Sequence, residues 1–206
     1  MAVTRRHLLT ALALTPAMSA IAARAQLQGR DAPTPRLSGR ERIRRHHLPN
    51  VPLRAHTGQQ VRFYDDLVKD KKVIINFMYA KCDGICVPVT MNLARVQRLL
   101  GDRVGRDIFM YSITLKPAED SVESLRVYAE QHRAGPGWLF LIGSPPDTEH
   151  LRRALGFTYA DPVEDADTSN HIGMLRYGVE PLTRWAACPG MANPAHIARS
   201  ILWDLG

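Results

Sequence analysis

The stretch VIINFMYAKCDGICVPVTMNLARVQRLLGD, residues 73–102, decides the fold. Residues 73–79 are apolar and rich in β-branched side chains, a pattern that predicts a buried central strand. Cys82 and Cys86 follow at once. A helical pattern then begins and stops at Gly101, and its expected apolar face is Leu93, Val96, Leu99 and Leu100. The sequence therefore predicts two cysteines at a strand-to-helix junction.

The rest of the chain alternates between strand and helix patterns. Further strands are expected at 108–115, 138–142 and 172–177. Helices are expected from a cap at Asp120 or Ser121 to about residue 132, at 149–155 and at 194–203. This alternation predicts an α/β fold and allows a doubly wound sheet. The cysteines at the junction favour a thioredoxin-like sandwich, in which helices flank a central mixed sheet.

Residues 1–25 have the pattern of an export signal. Arg5 and Arg6 form a short basic region, an apolar run follows, and Ala23 and Ala25 fit a signal-peptidase site. The motif around Arg5 and Arg6 resembles the twin-arginine type. We therefore expect an exported, periplasmic protein, which stays anchored in the membrane if the signal is not cleaved.

Residues 26–49 lack apolar periodicity, so we interpret them as a flexible basic linker before a domain at 50–206. The formal net charge is +7, and part of it lies in the stretch Arg36–Arg45. A solvated linker explains this stretch, and weak contact with acidic lipid is the alternative. No nucleic-acid-binding module is recognisable, so we expect no nucleic-acid partner.

Cys82 and Cys86 are spaced i, i+4, so both sulfurs can lie on one side of a helix start. Unpaired N–H groups and the helix dipole stabilise a thiolate there. Soft thiolates select copper(I), with zinc as a competitor. A redox pair without metal and a structural disulfide remain as alternatives.

His171 is the candidate third metal ligand. It is expected at the start of the fourth predicted strand, after a polar loop, and the strand end beside the active helix is a suitable place from which to reach the sulfurs. This assignment follows from the order of the elements in the expected fold. The acidic residues around it, including Asp165, are interpreted as a solvated loop.

Three separated segments resemble the Sco/SenC family: residues 73–102, SITLKPAEDSVESLRVYAEQH at 112–132 and SNHIGMLRY at 169–177. The resemblance implies a thioredoxin-like fold that binds copper through Cys82, Cys86 and His171, as copper(I) with copper(II) also allowed. It also implies a partner, namely the copper-site subunit of cytochrome c oxidase or another periplasmic cuproprotein. Some members of the family act instead as thiol:disulfide reductases.

Asp83 and Val87 stand where the family commonly has proline, and Lys116 stands where it commonly has aspartate. A periplasmic copper metallochaperone is the leading functional hypothesis. The alternative is a thiol:disulfide oxidoreductase that uses Cys82 and Cys86 without metal, so enzymatic activity is left open. Cys188 makes the cysteine count odd and is either a small buried apolar residue or a resolving thiol.

Overall fold

The computed structural model describes residues 37–167 and 173–206. The regular elements belong to one compact unit, Gly39–Gly206. In chain order they are α1 (Gly39–His47), β1 (Pro52–Ala55), β2 (Gln60–Arg62), β3 (Lys72–Met78), α2 (Cys86–Leu100), β4 (Ile108–Thr114), α3 (Val122–Gln131), β5 (Trp138–Ile142), α4 (Pro145–Ala154), α5 (Pro162–Ala166), β6 (Met174–Val179), β7 (Arg184–Pro189) and α6 (Pro194–Leu205).

The strands form one mixed sheet in the order β2-β1-β5-β4-β3-β6-β7. β3, β4 and β5 are parallel, and β6 pairs antiparallel with both β3 and β7. Residues 73–78 of β3 are all buried, so the predicted central strand is confirmed. The predicted mixed sheet with flanking helices is confirmed as well.

α2 follows β3 after a short loop and packs against the sheet and α6. Its buried face includes Val89, Leu93, Val96 and Leu100, which recur at helical spacing. Leu99 was expected on this face, and that expectation is wrong because Leu99 is 54% exposed. At 3.6 residues per turn, Leu99 lies away from the line through Val96 and Leu100.

The side chain of Ser121 caps α3 by accepting a hydrogen bond from the backbone of Ser124, which confirms one of the two predicted caps. α4 begins earlier than expected, because Ser144 caps it and Pro145 occupies its first turn. β6 runs to residue 179, two residues beyond the predicted end. No helix within residues 37–167 and 173–206 is long and apolar enough to cross a bilayer.

α1 lies within the stretch that the sequence analysis interpreted as a flexible linker. The structure differs there because Arg40 of α1 pairs with the buried Glu180 at 2.5 Å and with Asp70 at 2.7 Å. Arg44 and Arg45 pair with Glu41 in the same helix. The remaining predicted linker residues up to 36, and the predicted signal, lie outside the described residues.

Asp165 was expected in a solvated loop, and this expectation is wrong. It lies in α5, is 7% exposed and pairs with the equally buried Arg152 at 2.6 Å. Arg152 also donates hydrogen bonds to Glu149 and to the carbonyl of Phe157. The pairing of two buried charges fixes α5 against the end of α4.

Candidate metal centre

Two cysteines lie at the junction between β3 and α2. Cys82 lies in the connecting loop, and Cys86 is the first residue of α2. Their exposed fractions are 6% and 1%. All three cysteines of the chain are free thiols. The site is therefore a buried dithiol at a helix N-terminus.

Four neighbouring groups favour the thiolate form of Cys82. Burial raises the pKa of this thiol, but hydrogen-bond donors lower it by a larger amount. The donors are the thiol and backbone N–H of Cys86, the Tyr79 hydroxyl and the N–H of Gly84. The pKa of Cys82 is therefore lowered from its ordinary value. A thiolate at this position is both a nucleophile and a metal ligand.

Cys86 has the opposite character. Burial raises the pKa of its thiol, and the adjacent Cys82 sulfur raises it further. Cys82 is therefore the thiol of the pair that ionises first as pH rises. A soft metal ion bound here would meet two sulfur donors.

Tyr79 is a site residue that the sequence analysis did not single out. Its hydroxyl donates to Cys82, and this hydrogen bond, with burial, raises the pKa of Tyr79. The ammonium of Lys116 lies 4.5 Å from the centre of the Tyr79 ring and 3.6 Å from a carboxylate oxygen of Glu119. The signal in the sequence was an aromatic residue that ends the β3 run, three positions before the first cysteine.

Asp120 anchors the same loop from the other side. Its buried carboxylate accepts hydrogen bonds from the Thr114 hydroxyl at 2.5 Å and from the N–H of Ala80 at 3.1 Å. Ala80 precedes Cys82 by two residues. The end of β4 and the start of α3 thereby fix the position of the cysteine loop.

The entry to β6 packs directly on the first turns of α2. A Cβ on Gly173 would lie 2.6 Å from Ile85 Cδ1, so only glycine fits there without displacing Ile85. The N–H of Gly190 donates to the Gly173 carbonyl at 2.7 Å. Asn92 of α2 donates in turn to the carbonyl of Gly190 at 2.8 Å. The chain beside residue 173 is thus held next to the helix start.

His171 lies outside the described residues. Within residues 37–167 and 173–206, no three His, Cys, Asp or Glu side chains are grouped so that they could hold a metal ion. Cys188 is half-buried in β7, opposite Leu175, and burial raises its pKa. Of the three predicted metal ligands, the structure brings Cys82 and Cys86 together, and His171 remains a prediction.

The mixed sheet and the dithiol at the start of α2 define a thioredoxin-like protein with a paired-cysteine site. The SCO1/SenC family model matches residues 48–179. This match covers more than half of the chain, so the chain belongs to the SCO1/SenC family, as the sequence analysis predicted.

Solved structures of this family share the fold. A SCO1/SenC family lipoprotein from Bacillus anthracis superposes with a TM-score of 0.63 and is 19% identical, covering 77% of this chain and 95% of that one. Yeast Sco1 with copper bound gives a TM-score of 0.61 at 18% identity, covering 76% of this chain and 89% of that one. The thioredoxin-like fold class is confirmed.

A curated relative from Stutzerimonas stutzeri, which is named for copper binding, is 30% identical over 118 residues. The match covers 55% of this chain and 55% of the relative. The chain therefore spans about half the length of that relative.

Proposed function

We propose that this protein binds copper(I) through Cys82, Cys86 and His171 and carries it to another protein. The observation that carries the proposal is the buried dithiol at the start of α2, in a chain of the SCO1/SenC family. Two thiolates are soft donors that favour copper(I). A third, imidazole ligand would complete a three-coordinate site closed to water.

The assignment of His171 is supported by the position of Gly173. That residue lies against Ile85, the neighbour of Cys86 in sequence. A backbone of two residues spans at most about 7 Å. The short separation in sequence therefore permits the imidazole of His171 to approach the start of α2.

Relatives supply the second support. Yeast Sco1 was solved with copper bound, and the Stutzerimonas relative is named for copper binding. Copper(II) is a second oxidation state that a site of two sulfurs and one imidazole can hold. We propose copper as cargo, received and passed on by exchange of ligands.

The recipient in this proposal is the copper-site subunit of a respiratory oxidase or another periplasmic cuproprotein. Export through the signal at residues 1–25 would bring the protein to that compartment. Mass spectrometry of the mature protein from a periplasmic extract tests this step, and the expected N-terminus is Gln26. Recovery of an uncleaved chain in the membrane fraction would instead support an anchored form.

Contact with acidic lipid through Arg36–Arg45 stays a prediction. The charges of Arg40, Arg44 and Arg45 are engaged by carboxylates of the same compact unit. Their attraction to a membrane surface is reduced accordingly. Co-sedimentation with vesicles that contain anionic phospholipid would measure what remains.

Anaerobic titration of the reduced protein with copper(I), against a competing chelator, tests the metal site. The parent is expected to bind one equivalent tightly, and His171→Ala is expected to lose at least about tenfold in affinity, the effect of roughly 1.4 kcal/mol. His150→Ala, an exposed histidine in α4, is the matched control and should bind as the parent does. Equal affinity of the parent and His171→Ala would remove His171 from the site.

A thiol:disulfide oxidoreductase is the second candidate, and the unequal pKa values of the two thiols favour it. The Cys82 thiolate would attack a substrate disulfide, form a mixed disulfide and release one substrate thiolate. Deprotonated Cys86 would then attack the Cys82 sulfur and release the second substrate thiolate. The protein ends with a Cys82–Cys86 disulfide, and the substrate gains two electrons.

The two functions differ in their need for His171. Exchange with a small-molecule disulfide should be nearly unchanged in His171→Ala, whereas copper binding should not. A parent protein that exchanges disulfides rapidly and binds copper(I) only weakly would favour the oxidoreductase.

A further inference from the structure

A cavity lies between α1, the end of α4 and strands β6 and β7, away from the cysteines. Its volume is ≈ 270 Å³. The walls are mostly apolar and carry two basic side chains; the lining residues are Ile43, His47, Leu48, Leu155, Arg176, Thr183 and Trp185. The cavity is slightly smaller than the usual range of small-molecule sites, about 300–1,000 Å³, so it suits a small ligand.

Arg176 is the unusual member of this lining. It lies in the middle of β6 and is half-buried. Within residues 37–167 and 173–206, its guanidinium forms no hydrogen bond or ion pair. Burial alone lowers its pKa, but arginine stays charged in proteins. A desolvated cation without a counter-charge is costly unless a ligand or partner neutralises it.

The cavity is on the opposite face of the sheet from α2. Tyr177, the next residue in β6, donates a hydrogen bond to Asp204 of α6, which packs beside α2. Successive side chains of a strand point to opposite faces, so Arg176 faces α1 and α4. Its cavity is consequently separate from the dithiol, and what it binds does not depend on the proposed function.

We propose that this cavity binds a small organic carboxylate with an apolar body. The planar guanidinium of Arg176 matches a carboxylate in two parallel hydrogen bonds. Trp185, Leu155 and Ile43 supply the apolar wall for the body of the ligand. His47, exposed at the rim, adds a second donor.

The lining also says which ligands fit poorly. A neutral apolar molecule would leave the Arg176 charge without a partner. Its binding free energy would come only from burial of apolar surface. Inorganic phosphate offers several acceptors and no apolar surface, and it would leave the wall of Trp185 and Leu155 unused. Charge and apolar area together select the carboxylate.

Isothermal titration calorimetry of the full chain, reduced and free of metal, with benzoate and hexanoate tests the proposal. Both are expected to bind saturably with one site. The uncharged analogues benzamide and hexanamide should bind at least about tenfold more weakly, because they lack carboxylate oxygens to accept charge-assisted hydrogen bonds from the Arg176 guanidinium. Inorganic phosphate should also bind more weakly than the carboxylates. Absence of saturable carboxylate binding up to about 10 mM would overturn the proposal.

Arg176→Met keeps an unbranched apolar stem and removes the guanidinium, and it is expected to lose benzoate affinity by about tenfold or more. Arg199→Met, an exposed arginine on α6, changes the net charge equally and should bind benzoate as the parent does. His47→Glu changes only an exposed side chain, so it can still test benzoate binding in the cavity if Arg176→Met does not fold. Its carboxylate should weaken benzoate binding, and unchanged benzoate affinity in either folded variant would disprove the site.

Discussion

The carboxylate of Asp120 accepts a hydrogen bond from the backbone N–H of Ala80, 40 residues earlier in the sequence, with 3.1 Å between the nitrogen and the oxygen. This contact joins the start of α3 to the loop that carries Cys82. Asp120 is 8% exposed, and the hydroxyl of Thr114 is its second donor. The cysteine loop is therefore positioned by a buried carboxylate rather than by its own residues.

Asp120→Ala is expected to lower the free energy of unfolding by about 2–3 kcal/mol. The substitution leaves the buried N–H of Ala80 and the Thr114 hydroxyl without their acceptor. Urea unfolding, followed by far-ultraviolet circular dichroism, measures the change. Copper(I) affinity measured on the folded variant should fall as well, because the loop is released.

Glu119→Ala provides the control for Asp120→Ala. Glu119 is exposed and pairs with Lys116 only at 3.6 Å. An exposed pair of this kind contributes at most about 1 kcal/mol. Similar losses in the two variants would contradict the anchoring role of Asp120.

The two cysteines should react differently with pH. The thiolate is the reactive form, so a lowered pKa keeps Cys82 reactive toward lower pH, and a raised pKa confines Cys86 to higher pH. We expect the rate of alkylation of Cys82 to reach half its maximum at a lower pH than that of an ordinary thiol, and the rate for Cys86 to reach it at a higher pH. Mass spectrometry of alkylated peptides from the reduced, metal-free protein distinguishes the two sites.

Tyr79→Phe sharpens this measurement. The variant removes one of the donors to the Cys82 sulfur and keeps the ring beside Lys116. The half-maximum for Cys82 should move to higher pH. Superimposable profiles for Cys82 and Cys86 in the parent would show that the asymmetry does not exist.

Arg40→Ala is expected to loosen α1. Burial opposes the ionisation of Glu180, but Arg40, the N–H of Asp70 and the Tyr64 hydroxyl stabilise the carboxylate, so its pKa is lowered. The variant should lose about 1–3 kcal/mol of stability at pH 7, less than for a fully buried pair because the Arg40 side chain is 40% exposed. Tryptic cleavage within α1 should accelerate in parallel.

The pH dependence of this loss has a definite sign. A carboxylate whose pKa is lowered by folding contributes stability above its unfolded value, about 4.3, and loses it as pH falls through the folded value. The difference between parent and Arg40→Ala should therefore shrink below about pH 4. Arg45→Ala is the matched control, since Arg45 pairs with Glu41 in the same helix and, among the described residues, with no other carboxylate. If the stability lost in Arg40→Ala stayed constant from pH 7 to pH 3, the ion pair with Glu180 would not be the cause of that loss.

Local patterns in the sequence were sufficient for much of this fold. The apolar run of β3, the helical spacing after Cys86 and the cap at Ser121 each depend on residues close in sequence. These elements fixed the position of the dithiol, which the structure bears out.

Contacts between distant residues could not be predicted in the same way. α1 has little apolar periodicity and is held by Arg40 and Glu180, which are 140 residues apart. The hydrogen bond from Tyr79 to Cys82 depends on how the loop folds back, and the anchor of that loop is Asp120. Such pairings depend on the tertiary fold, for which single-sequence patterns carry no direct signal.

Gly190 offers a test of the copper site that alters none of its ligands. A Cβ at this position would lie 2.9 Å from the carbonyl oxygen of Gly173 and 2.9 Å from Val89 Cγ1. Because one of these neighbours is backbone, Gly190→Ala should push the entry of β6 away from α2. The expected cost in stability is about 1–3 kcal/mol, as for other overpacked sites.

If His171 completes the copper site, this displacement should weaken copper(I) binding as well, because His171 is only two residues from Gly173. Gly84→Ala is the control within the cysteine loop, since its Cβ would make an ordinary contact of 3.8 Å with the Cys82 sulfur. Both variants are titrated at a temperature where unfolding curves show them fully folded. Weaker copper binding in Gly190→Ala alone would link the β6 entry to the metal. A destabilised Gly190→Ala that binds copper(I) as tightly as the parent would instead mean that Cys82 and Cys86 hold the metal without help from that segment.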